Sequence, residues 1–199
     1  MARVGILGGT FNPPHLGHLV CASEAAEQLR LDRVLLTPVA VPPHKQPDAE
    51  PGPALRLELC RLAVAGDERL GVCDVEVMRG GPSYTVDTLR ELLENDPEND
   101  LTFILGGDIA LGLPAWREPK SVLGLASLAI AERSGAIRAD IAERLDDAFP
   151  GAASLEFFDM PRIDISSSDV RRRVARSRSI RYLVPDPVAD RIALEGLYR

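Results

Sequence analysis

A chain of 199 residues can build one domain with a real core and is too short for two large ones. Its 45% hydrophobic and 27% charged residues exclude a disordered chain. A formal net charge of −7 excludes a surface built to hold a nucleic-acid backbone, so any basic residues that meet phosphate must be local. The apolar run at 4–7 ends in Gly8-Gly9 and predicts a buried strand. Residues 19–31 have helical spacing, with Ala22, Ala25, Ala26 and Leu29 on one face. A second strand is predicted at 33–37, closed by Pro38, and the proline-rich stretch 38–53 reads as loop. Helical spacing returns at 55–65, strand-like alternation at 72–77, and helical spacing again at 85–93. The apolar runs 101–105, 127–131 and 155–158 predict further strands, and 168–175 and 188–194 close the chain as helices.

Strands separated by helices predict parallel βαβ units. The expected fold is α/β, a Rossmann-like doubly wound parallel sheet with helices on both faces, forming a single domain over residues 1–199. Ligands in such folds sit at the carboxyl ends of strands, where the strand order switches. Gly8-Gly9 and Gly106-Gly107-Asp108 each follow a strand and are expected at the same edge. Cys21, Cys60 and Cys73 are odd in number and lack C-x-x-C spacing, which fits neither a disulfide framework nor a zinc cage and points to a reducing cytoplasm. Residues 1–7 run too soon into glycines for a signal peptide. No apolar run approaches the roughly 18 residues that span a bilayer, so no membrane partner is expected. A homo-oligomer is compatible with the composition.

The segment Gly8-Gly9-Thr10-Phe11-Asn12-Pro13-Pro14-His15-Leu16-Gly17-His18 carries the strongest chemical signal. Paired glycines let the backbone turn tightly and approach a ligand. Neither the G-x-G-x-x-G fingerprint nor a G-x-x-x-x-G-K-[ST] loop is present, which argues against a dinucleotide dehydrogenase and a P-loop NTPase. Asn12 before proline suits a helix N-cap, with the helix opening at Pro13 or Pro14. His15 and His18 then share one face of the first two turns, beside free N–H groups and a partial positive charge. Gly17 costs roughly 1 kcal/mol of helix stability against alanine and leaves room for a bulky anion. Two histidines capping a surface helix, or pairing on a metal, remain alternatives. The metal reading lacks the glutamate of H-E-x-x-H, and His44 is the one other histidine. Late in the chain, Ile165-Ser166-Ser167-Ser168-Asp169-Val170-Arg171 reads as a serine-capped helix start that also suits an anion. Most of the arginines that follow it read as solvated helix face.

Residues 8–18 resemble the H-x-G-H signature of the nucleotidyltransferase superfamily, and 165–171 resemble its I-S-S-T-x-x-R motif, with serine in place of threonine. The resemblance implies transfer of a nucleoside monophosphate onto a phosphate with release of pyrophosphate. It implies His15 and His18 as catalytic residues, with His18 stabilising charge at the α-phosphorus. Gly8, Gly9, Thr10, Phe11, Gly106, Asp108, Ser166, Ser167, Ser168 and Arg171 are implied on ATP. Magnesium would be carried mainly by the substrate phosphates, with no dedicated protein metal site.

Further segments are similar to the bacterial nicotinate-nucleotide adenylyltransferases: 41–45, 82–89, Gly107-Asp108 with Leu113-Pro114-Ala115-Trp116, and 182–185 with 196–199. They imply ATP and nicotinate mononucleotide as substrates, deamido-NAD as product, and Lys45, Ser83, Tyr84, Thr85, Trp116 and Arg133 on the acceptor side. Trp116 also fits a core position, and Ser83-Tyr84-Thr85 a simple helix cap. Val39-Ala40 stand where relatives often carry asparagine, and Arg133-Ser134-Gly135 where they carry Arg-Pro-Gly. Alternatives are a sibling transferase acting on nicotinamide mononucleotide, pantetheine phosphate or a cytidylyltransferase substrate, a non-catalytic nucleotide-binding sensor, and an NAD-dependent oxidoreductase.

Overall fold

A computed structural model describes residues 1–43, 51–132, 138–151 and 154–199. In chain order the first half runs β1 (Arg3–Gly9), α1 (Leu16–Gln28), β2 (Arg33–Pro38), α2 (Pro53–Val64), β3 (Leu70–Val72), α3 (Val75–Arg79) and α4 (Thr85–Asn95). The second half runs β4 (Asp100–Gly106), α5 (Gly107–Ala110), a 3-10 turn (Leu113–Ala115), α6 (Pro119–Leu125), β5 (Ser127–Glu132), α7 (Arg138–Ala148), β6 (Leu155–Asp159), α8 (Ser167–Ala175) and α9 (Asp186–Leu194).

The strands form one parallel sheet in the order β3-β2-β1-β4-β5-β6. Strand alternation sends neighbouring side chains to opposite faces, and each face has its own helices. Val4, Ile6, Phe103, Leu105, Leu128 and Ile130 pack with residues of α4, α6 and α7. Leu7, Val34, Leu36, Ile104, Ala129 and Ala131 pack with α1 and α2. A third apolar cluster joins Leu59 of α2 to Val170 of α8 and to Val188 and Ile192 of α9. This is the doubly wound α/β fold expected from the alternation of elements. The order reverses between β1 and β4, so the segments after Gly9 and after Gly106 emerge side by side.

Two local expectations are corrected. The predicted strand at 72–77 is an edge strand ending at Val72, followed by α3. Cys73 N–H still bonds Leu36 O, after which Met78 and Gly80 N–H turn back to Asp74 and Glu76 carbonyls. Alternation at 73, 75 and 77 therefore coincided with one short buried helical turn. Asn12 and the two prolines also lie outside the helix. His15, with extended backbone, is the N-cap of α1.

Candidate active site

The site is built where β1 and β4 end. Gly8 sits beside the tip of the Phe103 ring, whose Cζ would be 3.4 Å from a Cβ at that position. Phe11 has a φ of 48° and a buried ring. Its edge meets the His18 ring at a centroid distance of 4.9 Å. The Phe11 side chain therefore packs against His18 inside the protein, and what this residue leaves toward a ligand is its backbone.

His15 and His18 stack at 3.7 Å between centroids. The His15 backbone N–H donates to His18 Nδ1 at 3.1 Å. An accepting Nδ1 leaves Nε2 as the protonated nitrogen of a neutral imidazole. Burial, with a smaller push from neighbouring His15, holds the His18 pKa down at about 3. Gly17 does not leave the open space expected from sequence: a Cβ there would lie 3.1 Å from Cε1 and Nδ1 of His15. The missing side chain makes room for the histidine ring itself.

The carboxyl-terminal third holds this loop from the other side. Ser167 Oγ donates to Pro13 O at 2.8 Å, and Arg171 Nη1 donates to Asn12 O at 2.8 Å. Tyr198 Oη donates to Asn12 Oδ1 at 2.6 Å, and Leu16 N–H to Leu183 O at 2.9 Å. Arg171 also reaches Ser168 Oγ at 3.3 Å. Ser166 is the N-cap of α8, accepting from Asp169 N–H and donating to its carboxylate. Asp169 is further paired with Arg172, which offsets its charge. The N-termini of α1 and α8 are thus brought together as expected, although Ser166 and Ser167 spend their hydroxyls on the protein. Asp108, exposed, folds its Oδ1 over Gly106, 2.9 Å from where a Cβ would stand.

On the expected acceptor side, Trp116 meets Phe103 edge-on at 5.9 Å, and the tip of Phe103 adjoins Gly8. Trp116 and Tyr84 are partly buried against the same core cluster, and the Arg117 guanidinium sits 4.6 Å above the Tyr84 ring. Tyr84 is the N-cap of α4 and Thr85 its first residue. Among the described residues, no hydrogen bond occupies the N–H of either, as expected for a helix start. Ser83, expected on the acceptor side, also has a structural part. It is buried, its N–H donates to Val41 O, and its Oγ accepts from Ala40 N–H, both at 2.9 Å. It braces two loops. Lys45 and Arg133 lie outside the described residues.

One residue absent from the sequence-derived set is Arg56, on α2 and only 4% exposed. It donates to the carbonyls of Thr10 (2.7 Å), Val39 (2.6 Å) and Ala40 (3.1 Å). The available signal was a charge on a helix face shared with Leu59 and Cys60, both fully buried. Val39 and Ala40 are thus fixed through their backbone. Among the described residues, no group of three or more His, Cys, Asp or Glu side chains could hold a metal. The cysteines are free thiols.

The cytidylyltransferase-like family model matches residues 6–173. A probable nicotinate-nucleotide adenylyltransferase of Exiguobacterium sibiricum is 40% identical over 98% of both chains. One from a Roseiflexus species is 45% identical over all of this chain and 98% of its own. The chain belongs to the nicotinate-nucleotide adenylyltransferase family. The fold also matches the Plasmodium falciparum nicotinic acid mononucleotide adenylyltransferase complexed with NaAD, with a TM-score of 0.79 at 18% identity, covering 100% of this chain and 98% of that one. Among the described residues, no helix is long and apolar enough to cross a membrane.

Proposed function

We propose that the chain transfers the adenylyl group of ATP to nicotinate mononucleotide, releasing pyrophosphate and forming deamido-NAD. The observation that carries this reading is the clasp between the α1 and α8 N-termini, with a neutral, stacked His18 at its centre. A phosphate oxygen of the acceptor attacks the α-phosphorus. The new P–O bond forms as the bond to the β-phosphate oxygen breaks, and pyrophosphate leaves. This is displacement by positioning and charge stabilisation, without a covalent enzyme intermediate.

His18 donates from Nε2 to an α-phosphate oxygen, and His15 holds it in that tautomer. Arg171, Ser168 and the α8 N-terminus receive the β- and γ-phosphates. Backbone of Gly8, Gly9, Thr10 and Phe11, with Gly106 and Asp108, lines the nucleotide side. Trp116 gives the pyridine ring a wall, and the N–H groups of Tyr84 and Thr85 receive its carboxylate. Lys45 meets the acceptor phosphate, and Arg133 the nucleotides between them. Magnesium, when bound, would neutralise phosphate charge; its hard oxygen donors would come mainly from the substrate phosphates, with Asp108, an exposed carboxylate at this strand end, as the protein group that would supplement them. The chain works as one catalytic domain over residues 1–199, and three free thiols suit a reducing cytoplasm.

Purified protein with ATP, magnesium and nicotinate mononucleotide should yield deamido-NAD and pyrophosphate in equal amounts. Product formation with pantetheine phosphate instead, or with CTP as donor, would move the assignment to a sibling transferase. Binding of ATP without any turnover would favour a sensor.

A further inference from the structure

The β1 and β2 ladder ends at Gly9 and Pro38, with Val39 N–H making a last bond to Gly9 O. Beyond it the two chains part. One becomes the loop carrying His15 and His18, and the other leads toward the acceptor side. Carbonyls at such a divergence need donors. Arg56 supplies them in both directions: Nη1 reaches Thr10 O, and Nη2 reaches Val39 O and Ala40 O. The connection continues. Ala40 N–H donates to Ser83 Oγ, and Ser83 N–H donates to Val41 O. Ser83 is followed directly by Tyr84, the N-cap of α4. A continuous hydrogen-bonded path therefore runs from the histidine loop through Arg56 to the helix start assigned to the acceptor carboxylate.

We infer that Arg56 is a positioning residue that sets the distance between the two substrates, holding the acceptor phosphate in line with the α-phosphorus. The inference rests on the proposed adenylyl transfer. The planar guanidinium suits this task because its two terminal nitrogens point to different loops; an ammonium is a single point with no such fork. Each loop keeps its own contacts with its own substrate when Arg56 is replaced. Loss of the residue therefore acts on the alignment of bound substrates, where displacements near 1 Å cost about 10²-fold in rate.

The test is steady-state kinetics of Arg56→Lys with ATP and nicotinate mononucleotide, at a temperature where circular dichroism shows the variant folded. The expected result is a fall in kcat of about tenfold or more, with both KM values near those of the native protein. A smaller fall in kcat, or a loss carried by the KM of one substrate, overturns the inference. Arg56→Gln carries the same two readings should the lysine variant fail to fold. Native protein that does not turn over nicotinate mononucleotide sinks the functional reading; native turnover with an unaffected Arg56→Lys sinks only the role of Arg56.

Discussion

Gly17→Ala sets two effects against each other in one atom. Alanine favours a helix interior by roughly 1 kcal/mol over glycine, and by no more than that at this second residue of α1, so propensity alone predicts a more stable protein. The added Cβ, however, would stand 3.1 Å from Cε1 and Nδ1 of His15, with Ile163 Cγ2 at 3.6 Å. His15 is buried and stacked on His18, so the two rings must move together. Overpacking of this kind costs typically about 1–3 kcal/mol. The clash therefore equals or outweighs the propensity gain, leaving a net loss of roughly 0–2 kcal/mol. For a chain of this size that lowers Tm by about 0–8 °C. The larger consequence is catalytic. A shift of a few tenths of an ångström at His18 should lower kcat by about tenfold, on a scale where 1 Å costs about 10²-fold. Thermal melts and initial rates of pyrophosphate release on the same preparation measure both. An alanine variant that is more stable and fully active would refute the claim that Gly17 exists to seat the His15 ring.

His18→Ala should lower turnover by about 10²-fold or more, the scale for losing one preorganised donor; near-native turnover would remove its role. With its folded pKa near 3 against 6.5 for an ordinary histidine, His18 stays neutral while the unfolded chain takes up a proton. Its contribution to stability is therefore progressively lost as pH falls from about 6.5 toward 3. His18→Asn should flatten the decline of Tm between pH 7 and 4.5, and an unchanged slope would contradict the depressed pKa. Trp116→Ala should raise the KM for the acceptor by about 2- to 10-fold, the scale of an aromatic stacking contact. The KM for ATP should stay the same, and a rise there instead would place Trp116 on the wrong substrate.

The sheet was legible because its strands are mostly short apolar runs, and β1, β2 and β4 are closed by glycine or proline, as at Leu7-Gly8-Gly9, Thr37-Pro38 and Leu105-Gly106-Gly107. The helices α6 and α7 were not. Along α7 only Ile141 and Leu145 are buried, too few for a periodic signal. Strand β3 and helix α3 were merged because Val72, the last residue of the strand, and the single helical turn after it share the same apolar spacing. At the site, the histidines and the serine-capped helix stood out as residue types with a chemical meaning at a fixed spacing. What escaped was support across the fold. Arg56 bonds carbonyls 16, 17 and 46 residues away, and Tyr198 bonds Asn12 across 186. Backbone carbonyls carry no side-chain identity, so no pattern in the chain marks the partners of Arg56, and the Tyr198–Asn12 side-chain pair is too far apart in the chain for any local spacing to show it. The space expected at Gly17 was misread for the same reason: it answers to a neighbour, the His15 ring, that the local sequence does not display.

The central claim is that this site takes a nicotinate nucleotide by its carboxylate. The most direct test is the ratio of kcat/KM for nicotinate mononucleotide to that for nicotinamide mononucleotide, with saturating ATP and magnesium. A charge-assisted contact to the open N–H groups at the start of α4 is worth about 1.5–3 kcal/mol, which predicts a preference of roughly 10- to 150-fold for the carboxylate. Equal values for the two acceptors would contradict the account.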